Sequence, residues 1–156
     1  MSHESYEHDK VFAFLKHHPT GVLSTVSEDG TPWGSAIYFV VDDDFNFYFV
    51  TRVETTKYQN MSKNRLAALT IADGESQTTV QLTGRISKVP VKDYMDVIFD
   101  KLAAVRHKDN PNWSPPIDKV HAGNYMPLCL TPTKMQFANY SQLKSDVHAN
   151  YIEKII

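Results

Sequence analysis

The chain has 156 residues, 42% of them hydrophobic and 22% charged, an ordinary globular composition that leads us to expect one domain over residues 1–156. Sixteen Lys and Arg against eighteen Asp and Glu leave a formal charge of −2, which argues against a broad nucleic-acid surface. The one cysteine, Cys129, rules out an internal disulfide and fits a reducing compartment. The polar start of the sequence does not read as a signal peptide, and the longest apolar run, residues 36–41, is far too short to span a bilayer. The expectation is a cytoplasmic protein with no membrane and no nucleic-acid partner.

In chain order, residues 8–16 carry Val11, Phe12 and Leu15 at helical spacing, and Pro19 stops the helix. Residues 21–26 have the β-branched bias of a short strand, and 27–32 form a turn around Asp29-Gly30. Residues 34–41 read as a second strand buried on much of both faces. Asp42, Asp43 and Asp44 make the next turn, and 45–51 a third strand, so that three antiparallel strands follow one another as a meander. Residues 56–64 open with Thr56 and have Gln59 three positions on, the signature of a capping box on a short helix. Strands over 66–72 and 78–87 follow, joined by a turn at 73–75; Gly84 marks a bulge or bend in the second of them. After Pro90 a helix runs over 91–107, with Tyr94, Ile98, Leu102 and Val105 on one stripe. A proline-rich loop occupies 110–116. Strands at 125–130 and 133–139 precede a polar tail over 141–156. Six or seven strands with three helices make an α+β fold, most economically a small antiparallel β-barrel with flanking helices.

Much familiar chemistry is missing. The six glycines form neither GxGxxG nor GxxxxGK[ST], and there is no CxxC, HExxH or GxSxG. His17 and His18 are adjacent, so on a helix they point in different directions and make a poor metal site. Cys129 lies between Leu128 and Leu130 and reads as a small buried residue. Tyr38, His121 and His148 are ionisable, but spacing gives none of them a partner, so no catalytic residue is assigned.

One constellation is informative. The third strand ends in Thr51 and Arg52, and Thr55, Thr56 and Lys57 open the capped helix. Free N–H groups and the positive end of a helix, two or three hydroxyls and a cation suit a phosphate monoester. The order of elements adds to this. The opening GVLSTVSEDGTP, the strand end FYFVT, the turn TTK, the strand start KNRLAAL and the strand VQLTGR together resemble the pyridoxamine 5′-phosphate oxidase-like family. The resemblance covers roughly residues 8–140.

That resemblance implies an FMN-binding split β-barrel. By position it makes Thr51, Thr55, Thr56 and Lys57 the phosphate end of the cofactor site, with Arg52 a source of positive charge. Ser35, Ala36, Ile37 and Tyr38 would run along the isoalloxazine, with Val50 packed near the ring. Thr79 falls where members often carry a glutamine toward the flavin. The family's usual homodimer would put FMN in the interface, with Trp113 a candidate contribution from the partner. The implied activity is that of a flavin-dependent oxidoreductase acting on a small-molecule substrate, with a reduced nicotinamide among the candidate electron donors. Pyridoxamine-phosphate oxidases proper carry an arginine at the position of Ser35 and a late Arg-x-His pair. This chain has no arginine after Arg106, which argues against that substrate. A non-catalytic flavin- or haem-binding dimer and a deazaflavin-dependent reductase are the alternatives.

Overall fold

A computed structural model of the chain describes residues 3–104, 112 and 124–156. After α1 (His3–His17), strands β1 (Thr20–Val26) and β2 (Pro32–Tyr38) pair antiparallel. Their connection turns at Gly30, whose φ of +86° suits a residue without Cβ. The short β3 (Val40–Val41) pairs with β4 (Phe47–Arg52), and α2 (Thr56–Lys63) leads into β5 (Leu66–Asp73) and β6 (Thr78–Lys88). Helix α3 (Val91–Ala103) precedes β7 (Tyr125–Asn139) and β8 (Ile152–Lys154). The sheet order is β2-β1-β5-β6-β7-β4-β3, with β8 added beside β7. This is an α+β split barrel: one antiparallel sheet curled around a core, with helices at its margins.

Side-chain alternation places that core. Leu23, Leu69, Ile71, Val80, Leu82, Phe47, Phe49, Leu130 and Met135 all face the concave side and are almost fully buried. Helix α1 adds Val11 and Leu15, the stripe expected from the sequence. Helix α3 buries Ile98 and Leu102 as expected, whereas Tyr94 is 37% exposed and stacks at 5.8 Å on Tyr48. The expected end of this helix, residues 105–107, lies outside the described residues, as does Val105.

Two expectations need correction. Residues 34–41 do not form one strand buried on both faces. The Phe39 amide still donates to the Pro19 carbonyl at 2.9 Å, and beyond it the chain leaves β1 and pairs with β4 instead. The meander is therefore broken at Phe39. β2 lies at the opposite end of the sheet order from β4 and β3, and its Trp33 is 50% exposed. Residues 125–139 form one strand, not two. Pro132, which has no N–H to give, sits opposite Gly84, where the β6–β7 register shifts between Thr83 and Gly84. The bulge expected at Gly84 thus absorbs the proline that suggested a break. The polar tail, to which the sequence reading assigns no element, includes a 3-10 helix (Tyr140–Lys144) and β8.

Strand β8 also brings charge to α1. Lys10 lies 3.5 Å from Glu7 and 3.4 Å from Glu153. A hydrogen bond shared with Glu7, followed by burial, pushes the Glu153 carboxyl above its ordinary 4.5. The folded state therefore keeps a proton that the unfolded chain releases, and stability falls as pH rises from 4.5 through the raised value. The E153Q variant should lose this fall. Its Tm is expected to match the parent near pH 4.5 and to exceed it increasingly toward neutrality, as followed by thermal denaturation across pH.

Candidate functional site

The site is built where β4 runs into α2. Phe47, Phe49 and Thr51 alternate inward, and Thr51, only 3% exposed, is the last of the three. Its Oγ1 lies 3.1 Å from Thr55 Oγ1. Thr55 donates its own proton to the Arg52 carbonyl at 2.7 Å, so Thr51 is the donor in the pair. Thr55 also accepts from the Tyr58 amide at 3.4 Å in extended geometry (φ −78°, ψ 149°) and is the N-cap. The sequence had suggested Thr56. The cap lies one residue earlier because the buried Thr51 hydroxyl holds Thr55 there. Gln59 donates to the Val53 carbonyl at 2.8 Å and so supports the entering turn instead of closing a box.

Thr56 and Lys57 then occupy the first turn, where amide groups have no intrahelical acceptor and no acidic side chain is present. Lys57 is half-buried, and among the described residues no carboxylate meets its ammonium. Burial alone lowers its pKa from 10.5. Arg52 differs. It is exposed, ion-paired with Glu54, and lies over the Tyr125 ring at 5.8 Å from its centroid. Its charge is already matched.

The remaining predicted residues lie on the sheet. Val50, half-buried, is on the face of β4 opposite Thr51 and is registered with Pro127. On β2, Ser35 and Ile37 share the parity of the core, where Ile37 is buried; Ala36 and Tyr38 face outward, with Ala36 beside Val22. Thr79 stands between Ala72 and Ala138, and its Oγ1 is buried with no hydrogen-bond partner. The hydroxyl lies six residues from Arg85, the partner of Leu66 just after α2. That separation is roughly 20 Å along β6. The structure therefore brings Thr51, Thr55, Thr56 and Lys57 together and leaves Ala36, Tyr38 and Thr79 on the outer sheet face. Trp113 lies outside the described residues.

Sequence reading missed two buried residues at this site. Asn60 Nδ2 donates to Thr25 Oγ1 at 3.1 Å and ties α2 to β1. The partners are far apart in the chain, so no local pattern could have signalled them. Elsewhere, burial pushes the Cys129 thiol up, away from nucleophilic ionisation. The rings of His17 and His18 turn back to the Ala13 and Phe14 carbonyls at 2.7 and 2.8 Å.

The sequence profile of the family described as pyridoxamine 5′-phosphate oxidase matches residues 8–137. The chain belongs to the pyridoxamine 5′-phosphate oxidase-like family. A pyridoxine/pyridoxamine 5′-phosphate oxidase of Legionella pneumophila is 31% identical over 100 residues, covering 57% of this chain and 46% of the relative. The match thus spans about half the length of that enzyme. Among solved structures of the family's fold, a pyridoxamine 5′-phosphate oxidase-related, FMN-binding protein of Nostoc punctiforme superposes with a TM-score of 0.60 at 12% identity. It covers 96% of this chain and 85% of its own. A haem storage protein of Vibrio cholerae gives 0.64 at 14% identity, covering 81% and 91%. At these identities the two structures establish the shared split barrel.

Proposed function

We propose that this protein binds FMN in a homodimer and acts as a flavin-dependent oxidoreductase on a small-molecule substrate. The observation that carries the reading is Lys57: a half-buried side chain whose ammonium has no carboxylate partner among the described residues, beside the first-turn amides of Thr56 and Lys57, which the N-cap does not bond. Partial burial already disfavours the unpaired ammonium, and a phosphate would offset that cost. The Thr51–Thr55 hydroxyl pair fixes the N-cap two residues before Lys57. These residues fit a phosphate monoester in donor type and charge. Lys57 would hold the phosphate and the Thr56 hydroxyl would donate to it, while Thr55, its own proton given to the Arg52 carbonyl, fixes the helix N-terminus beneath it.

The edge strand β2 supports the position of the ring. Among the described residues no strand lies on its far side, so its outer backbone groups can meet a ligand's polar edge. Flavin, when bound, supplies the redox chemistry, and the protein supplies orientation and exclusion of side reactions. The dimer is supported by the outer sheet face. The row Ala36, Val22, Thr70, Gln81 and Gln136 crosses five strands without a charged side chain, and Val22 is 48% exposed. A row of this kind, bounded by Lys154 on β8 and by Lys134 two residues along β7, suits the neutral middle of an interface with a second copy. Thr79 lies at the start of β6, six residues from the Arg85 level where β5 begins after α2, so a flavin in the interface could use the partner's face for its second contact.

Reconstitution with FMN followed by gel filtration tests the reading. Flavin absorbance should co-elute with protein at the mass of a dimer. A protein that retains no flavin but shows a Soret band with haem would replace this reading with the haem-binding one.

A further inference from the structure

Among the described residues, polar side chains are buried at Thr25, Thr51, Asn60 and Thr78. Three of these four serve α2. Thr51 fixes its N-cap, and Asn60, 7% exposed, donates to Thr25, 1% exposed, at 3.1 Å. Helix α2 is otherwise lightly seated, for only Asn60 and Met61 of its eight residues are buried. A leucine at position 60 would bury more apolar area without desolvating an amide. What the amide adds is direction, because its bond to Thr25 holds only over a narrow range of distance and angle. Position 57 lies three residues before position 60, so a rotation of α2 that broke this bond would swing Lys57 with it.

We infer that the Thr25–Asn60 bond sets the rotation of α2 and so aims Lys57 and the first-turn amides at the cofactor's phosphate. Asn60 is a positioning residue in this scheme. It acts through Lys57 and touches no ligand. The inference rests on the FMN reading above.

Riboflavin lacks the phosphate, so the ratio of riboflavin Kd to FMN Kd isolates the contacts that Lys57 and the first turn of α2 make with it. Fluorescence titrations of the dimeric Thr25→Val and Asn60→Leu variants should show this ratio reduced roughly 5- to 10-fold, with the riboflavin Kd unchanged. The double variant should lose no more than either single one, and Thr25→Ser, which keeps the hydroxyl, should keep the ratio. Thermal denaturation run alongside separates this from lost folding, and the isosteric Thr25→Val covers the case in which Asn60→Leu folds poorly. A ratio unchanged in both single variants overturns the positioning role while leaving the FMN reading intact. A parent protein that binds both flavins equally, or neither, overturns the FMN reading and the inference with it.

Discussion

Replacing Lys57 with alanine is expected to raise the Kd for FMN roughly 10- to 150-fold and to leave the Kd for riboflavin unchanged. The magnitude is that of one charge-assisted hydrogen bond to phosphate, about 1.5–3 kcal/mol. It should be realised here because Lys57 meets no competing carboxylate among the described residues and is already partly desolvated. Arg52 cannot take over, since Glu54 holds its guanidinium. The sign of the pH dependence follows from burial. The Lys57 ammonium loses its proton below the ordinary lysine value of 10.5, so FMN affinity should decline as pH rises through that lowered value. The K57A variant should lack this decline. Fluorescence titrations with both flavins across the alkaline range check both statements. Equal losses for FMN and riboflavin would mean that Lys57 supports the fold and not the phosphate.

The second large effect concerns the scaffold. A Cβ at Gly84 would stand 2.3 Å from the Thr131 oxygen, 2.8 Å from its carbonyl carbon and 2.9 Å from Pro132 Cα. All three are backbone atoms and cannot rotate away, so Gly84→Ala must push β6 from β7 at the bulge that accommodates Pro132. The expected cost is about 3 kcal/mol, a fall in Tm of roughly 6–12 °C for a chain of this size. Gly74→Ala is the control. Nothing lies within 4 Å of a Cβ there, and its Tm should stay within about 2 °C of the parent. Scanning calorimetry of the two variants makes the comparison, and equal melting temperatures would contradict the close approach at Gly84.

Much of the fold was legible because one face of most strands is buried. In β5 and β6, Leu69, Ile71, Val80 and Leu82 alternate with polar or small residues, and that alternation fixes both element and orientation. The errors have physical causes. The apolar run through Phe39 looks like one buried strand, but the sequence does not show that Phe39 is a corner between two pairing partners. Pro132 looks like a strand break until Gly84 is placed opposite it, a pairing across the sheet that spacing along the chain does not reveal. At the site, the strand end and its hydroxyls pointed to Lys57, but the choice between Thr55 and Thr56 as cap depended on where the Thr51 hydroxyl ends up. The Thr25–Asn60 bond was invisible for the same reason. Neither residue belongs to a local motif, and only the crossing of α2 over β1 brings them together.

The central claim is that α2 and Lys57 receive the phosphate of a flavin. A structure of the protein determined with FMN tests it most directly. The account predicts the phosphate within hydrogen-bond distance of Lys57 Nζ and the first-turn amides of α2, with the ring along β2 in the interface of a dimer. A flavin phosphate bound away from α2, with Lys57 still unpartnered, would contradict it.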